Sequence, residues 1–187
     1  ERILSPLQLT VTDELRELAL IPGSGPDWPE RLLPRLGRLA LLAESFRRLD
    51  DLPPGERGDA LAAAGLPPRS SDDHVTDNWL IVGRRQDTIN RQRRERVWLH
   101  GLASRRWALL SDIHATGRRD GVYLPTGATA AGELAFLPST APLTARPTAD
   151  LRLCPASPGD QPVAGDLDQA GATYAAVLAA NPWLRVY

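Results

Sequence analysis

Lysine is missing from this chain: all 22 basic residues are arginine, set against 23 acidic residues for a net charge of −1. Without a phosphate-loop lysine, a Walker-type NTPase is excluded. The all-arginine usage fits a GC-rich genome and by itself assigns no function. Cysteine occurs once, at Cys154, which excludes an internal disulfide and predicts a reducing, cytoplasmic setting. No apolar run approaches the roughly 20 residues of a membrane span, and the N-terminus carries no signal-peptide pattern, so no membrane contact is expected. Paired zinc-ligand spacings, Gly-x-Ser-x-Gly and Gly-x-Gly-x-x-Gly are also missing. The chain opens on Glu1 rather than Met, which predicts a processed chain or a stretch of a longer one.

What is present is an ordinary globular composition. The 187 residues are 42% hydrophobic and 24% charged, enough for one well-cored domain or two small ones. Charge is unevenly spread. Between Arg84 and Arg119 ten arginines face only Asp87, Glu95 and Asp112, a local excess of +7 that leaves −8 for the rest. Such a split makes either a basic face on an acidic body or two halves that attract each other.

The first 70 residues read as helical. Leu15, Leu18 and Ala19 share a face, with Asp13 and Glu14 where a helix N-terminus favours acid. After the PGSGP breaker, Asp27 and Glu30 have capping-box spacing, and Pro29 suits a first turn. Leu32, Leu36, Leu39, Ala43, Phe46 and Leu49 then form one apolar stripe, with Arg31, Arg35, Arg38 and Arg48 largely off it. This is a packing helix rather than a site, and Phe46→Ala costs roughly 3–5 kcal/mol if that residue is buried. A short helix over Glu56–Ala64 ends at Gly65 and is stopped by proline. The polar stretch 69–77 reads as a surface connection between a helical half and a sheet half.

From Trp79 the apolar runs become short and β-branched or aromatic, the pattern of strands. Residues 78–112 hold three of the five tryptophans, Trp79, Trp98 and Trp107, and eight arginines. A turn at Ala103-Ser104 sets His100 opposite Trp107 and Trp98 opposite Leu109. The segment between Gln86 and Arg96 is open to strand extension, loop or short helix. Further strands fall at Glu133–Leu137 and near Leu143–Arg146, kept short or at an edge by Pro138, Pro142 and Pro147. A last helix starts after Asp166, runs through Leu167, Ala170, Tyr174, Val177 and Leu178, and stops at Asn181-Pro182.

Chemistry is sparse. On a hairpin turning at 103–104, His100 and His114 stand about 20 Å apart and cannot share a metal. The histidines therefore read as lone residues, and Asp72, Asp73 and His74 as solvated loop residues. Arginines with aromatic neighbours hold phosphates and stack on bases, or face a protein.

The order of these pieces resembles the region that follows the zinc finger in bacterial SWIM zinc-finger family proteins. The matching words are DWPERLLPRLGRLALLAESFRRLDDLP (27–53), DNWLIVGRR (77–85), RERVWLHGLASRRWALLSD (94–112), LPTGATAAGELAFLPSTAPLTAR (124–146) and YAAVLAANPWL (174–184). The family's Cys-x-Cys…Cys-x-His zinc motif is absent, so the resemblance carries over no metal ligand. It implies an accessory component acting beside MoxR-type AAA+ ATPases and von Willebrand A proteins, and it supplies no catalytic residue.

The expected fold is α+β: N-terminal helices over 1–70, a small antiparallel sheet or partial barrel over 71–162, and a C-terminal helix over 163–187 packing on the rest. The expected function is a non-enzymatic protein-interaction or accessory module without catalytic residue, metal or cofactor. Its binding face is the arginine-rich sheet: Arg84, Arg85, Arg91, Arg93, Arg94, Arg96, Trp98, His100, Arg105, Arg106 and Trp107. Nucleic-acid binding by that face is the second reading, and a hydrolase using His100 or His114 is the third.

Overall fold

Two proline-led helix starts and one long twisted hairpin account for most of the backbone. The computed structural model describes residues 14–66, 72–89, 92–114, 124–155, 166–181 and 183–184; at 87–89, 92–94 and 112–114 the description is of the backbone. The chain divides into two compact units, one of Glu1–Arg69, Pro138–Ala141 and Leu167–Tyr187, the other of Ser70–Leu137 and Pro142–Asp166.

The helical unit holds α1 (14–19), α2 (Trp28–Arg47), α3 (Pro54–Ala63) and α4 (Leu167–Ala180). Asp27 does occupy the N-cap of α2, but its side chain makes no capping bond and pairs instead with Arg31 at 3.4 Å. That corrects the capping-box expectation: Asp27 has φ −91° and ψ 12°, outside the β-region geometry usual for a capping residue. The inward side of α2 also differs from the apolar stripe. Leu32, Leu39, Phe46 and Leu49 are half-buried, yet so are Arg35, Arg38 and Leu42, while Leu36 and Ala43 are exposed. Arg35 is drawn in by Glu17 at 2.9 Å, and Arg38 donates to the Trp183 carbonyl at 2.9 Å. No residue of α2 is buried, so Phe46 is not a core residue.

Helix α3 ends as its sequence predicts. Gly65 has φ +81°, its N–H bonds the Ala62 carbonyl at 3.0 Å, and the Leu66 N–H reaches back to Leu61 at 2.8 Å. These are the two bonds of a Schellman cap. The same helix grips the Pro138–Ala141 segment. Asp59, buried, accepts from Ser139 Oγ at 2.6 Å, from Thr140 N at 2.9 Å and from Thr140 Oγ1 at 2.6 Å. An α-helix cannot satisfy a buried carboxylate from its own backbone, so the partner comes from 80 residues away.

The sheet unit is built from β1 (Asp73–Ile89), β2 (Gln92–Gly101), β3 (Trp107–His114), β4 (Thr129–Phe136), β5 (Ala145–Pro147) and β6 (Arg152–Cys154). Their order is β3-β2-β1-β4-β5, all antiparallel, and β6 also pairs with β4. Since β1 occupies one edge of β4 along Thr129–Phe136, β5 and β6 are two pieces of a single interrupted strand on its other edge. One parallel bridge, Leu109 with Thr144, and a bond from Leu109 N to the Leu143 carbonyl at 2.8 Å bring the sheet's two ends into contact.

Strand β1 begins at Asp73, not at Trp79. Residues 73–77, expected as a surface connection, form the first rungs with β4, Asp73 opposite Phe136 and Asp77 opposite Gly132. Backbone pairing to β4 outweighs the polar composition of that stretch. The undecided segment after Gln86 is strand extension, with residues 90–91 outside the described part. The core is one cluster on the inward face. Trp79, Ile81, Leu99, Leu134 and Phe136 are its fully buried large side chains. Trp79 also satisfies its indole N–H on the Gly132 carbonyl at 3.0 Å.

Candidate binding face of the sheet

Residues directly opposite across antiparallel strands point to the same face. The pairs Ile81–Leu99, Leu99–Ala108 and Val97–Leu110 all lie in the core. The alternate pairs therefore lie on the opposite face: Leu80–His100, Gly83–Trp98, Arg85–Arg96, Arg96–Ser111, Trp98–Leu109 and His100–Trp107, of which Leu80, Arg96, His100 and Leu109 are also buried. The last two are the register expected from a turn at Ala103-Ser104.

That turn is fixed by Asp77. Gly101 N–H and the Arg106 carbonyl close the hairpin at 2.8 Å, and Arg105 takes the left-handed φ of 58° inside it. Asp77, buried, accepts from Ala103 N at 3.1 Å and from Ser104 N at 2.7 Å. A methyl at Gly101 would collide with Ser104 Oγ and the Asp77 carboxylate. Burial alone would raise the Asp77 pKa, but the bonds from Ser104, Ala103 and Asn78 outweigh it and hold the carboxyl below its ordinary value.

A bulge at Val82 shifts the phase of β1, with Ile81 opposite Leu99 but Gly83 opposite Trp98. Beyond it Arg84 falls opposite Val97, on the inward side, and its guanidinium pairs with Glu95, which also takes Gln86 Nε2 at 3.4 Å. The core thus gives way to a polar cluster along the far half of the hairpin. Arg106 is likewise held by a carboxylate. It meets Asp73 through two 2.8 Å bonds and lies 3.8 Å over the Phe136 ring. The Asp73 pKa is lowered chiefly by that hydrogen-bonded guanidinium.

The opposite face presents the rest. Trp98 is half-buried with the Arg96 guanidinium 5.7 Å from its ring centroid, and Gly83 opposite it projects no side chain. Trp107 is 44% exposed, and His100, buried, packs against it with ring centroids 4.8 Å apart. Among the described residues His100 Nδ1 has no hydrogen-bond partner, and burial, then the charge of Arg105, lowers its pKa. Arg85, Arg105 and Ser111 are exposed. Arg93 and Arg94 stand on β2 opposite Thr88 and Asp87. Arg91 lies outside the described residues.

His100 and His114 sit seven rungs apart on the β2–β3 ladder, about 23 Å. His74 pairs separately with Glu133 at 3.3 Å. Among the described residues no three His, Cys, Asp or Glu side chains converge as a metal site would need. No helix among them is long and apolar enough to cross a membrane. The Asp59–Ser139–Thr140 cluster and the Asp73–Arg106 pair had no local signal, because each joins residues far apart in the chain.

Residues 9–64 match the model of the SWIM-associated four-helix bundle domain. No curated protein and no solved structure matches the chain. The family match falls on the stretch that holds α1, α2 and α3. It supports the resemblance of this stretch to the helical region found in SWIM zinc-finger proteins.

Proposed function

We propose that the chain is a non-enzymatic accessory module of a SWIM-type protein, and that its helical unit docks a protein partner. The observation that carries this reading is the apolar stripe on α4. Leu167, Tyr174 and Leu178 recur at seven and four residues, so they share one side of the helix, yet they are 89%, 45% and 38% exposed. No residue of α4 or of α2 is buried, and Leu33, Leu36 and Leu41 on α2 are 72%, 47% and 51% exposed. Large apolar side chains left together in water favour a covering partner. The resemblance to SWIM zinc-finger proteins supports a MoxR-type AAA+ ATPase with its von Willebrand A companion as that partner. A cytoplasmic setting and an absence of cofactor are parts of the same proposal.

Co-elution of the purified chain with the purified ATPase and von Willebrand A protein tests it. The wild type is expected to co-elute, whereas Leu167→Glu with Leu178→Glu is expected to elute alone with an unchanged melting temperature. Co-elution untouched by that double substitution overturns the reading.

A further inference from the structure

We propose that the tip of the β2–β3 hairpin is a protein-docking point, with Trp107 entering an apolar pocket and Arg105 meeting a carboxylate on the partner's rim. The backbone gives the first argument. Among the described residues Arg105 is the one residue other than glycine with a positive φ, at 58°. Glycine takes that conformation freely, whereas a side chain takes it at a cost. The turn would close more easily with glycine, so folding alone does not account for an arginine there. Backbone outliers of this kind cluster at ligand-contacting sites.

The second argument is what surrounds it. Arg105 is exposed and, among the described residues, has no ion pair. The carboxylates at this end of the sheet are bonded elsewhere, Asp77 to the Ala103 and Ser104 N–H groups and Asp73 to Arg106. Trp107 is exposed, yet one side of its ring packs on the buried His100. After burial, the charge of Arg105 is what lowers the His100 pKa, so the cation stands near the ring that supports the indole. The Asp77 bonds and the Gly101–Arg106 closure fix the turn in advance, which leaves little ordering to lose on binding. Tryptophan and arginine are enriched where interface energy concentrates. A phosphate chain needs several unpaired cations along one track; here Arg84 and Arg106 are held by Glu95 and Asp73, and Arg96 is buried. One free cation beside one exposed indole fits an acidic protein surface with an apolar pocket instead. This contact belongs to the sheet unit and stands independently of docking by the helical unit.

Surface plasmon resonance of the immobilised full chain tests the proposal, with a random copolymer of glutamate and tyrosine as the probe. Polyglutamate, oligo-dT and phosphatidylserine vesicles run beside it. The wild type is expected to bind the copolymer more tightly than polyglutamate, because only the copolymer offers apolar surface to the indole. Trp107→Ala and Arg105→Ala are each expected to weaken that binding roughly 5- to 30-fold. Arg105→Gly separates binding from folding: it is expected to weaken binding as Arg105→Ala does while melting at or above the wild-type temperature. No binding to the copolymer at low salt, or Arg105→Gly binding as tightly as the wild type, overturns the proposal. So does oligo-dT or vesicle binding that exceeds copolymer binding and is lost on the same substitutions.

Discussion

Arg106 grips Asp73 from 33 residues away, Nη1 on Oδ1 and Nη2 on Oδ2 at 2.8 Å each, and lays the same guanidinium over Phe136. One side chain thereby ties the start of β1 to the end of the β2–β3 hairpin and covers the rim of the core. Both partners are partly solvated, at 31% and 48% side-chain exposure, so water discounts the ion pair itself. Adding the ring contact, Arg106→Ala is expected to cost about 1–2 kcal/mol. Arg106→Lys is expected to recover less than half, because a lysine has no planar fork. Urea midpoints with unchanged m-values provide the measurement.

Stability is expected to fall in two steps on acidification. His100, Asp73 and Asp77 all have lowered pKa values in the fold, so in each case the unfolded chain binds the proton more readily. The stabilisation from each is complete above its unfolded pKa and is lost as pH falls through the folded value. The histidine limb therefore begins below about pH 6.5 and the aspartate limb below about pH 4. His100→Phe, which keeps a ring against Trp107, is expected to remove the upper limb only. Asp77→Asn is expected to reduce the lower limb and cost about 1–3 kcal/mol at neutral pH. Denaturation midpoints across pH check both; a single limb in the wild type contradicts the assignment.

Asp59 is the anchor of the Pro138–Ala141 segment. Its replacement by alanine leaves three donors on Ser139 and Thr140 without their acceptor, at an expected cost of about 2–3 kcal/mol. Ser139→Ala removes one donor and leaves Thr140 to bind, so it is expected to cost only about 1 kcal/mol. Thermal unfolding of the two variants side by side distinguishes an anchoring carboxylate from a bystander, which would give equal small losses.

Local features were legible in the residues. Gly65 ends α3, and Ala103-Ser104 turns the hairpin. Each depends on neighbours within a few residues, where backbone preference and pleat decide the outcome. What was not legible depends on distant partners. Residues 73–77 look like a connection because their side chains are polar, yet β4 supplies their backbone bonds and Arg106 and the 103–104 turn supply partners for Asp73 and Asp77. The inward side of α2 turns toward Arg35 and Arg38 because Glu17 and the Trp183 carbonyl wait there. For the binding face, register predicted the neighbours of Trp98 and His100 but not that Arg84 and Arg106 would be taken by Glu95 and Asp73.

Titration calorimetry of the chain against the purified MoxR-type ATPase, at several temperatures, tests the accessory role most directly. Burial of the α4 stripe predicts saturable heat with a negative heat-capacity change, reduced or abolished by Leu167→Glu. No heat of binding at any temperature, or a heat-capacity change near zero in the wild type, would contradict it.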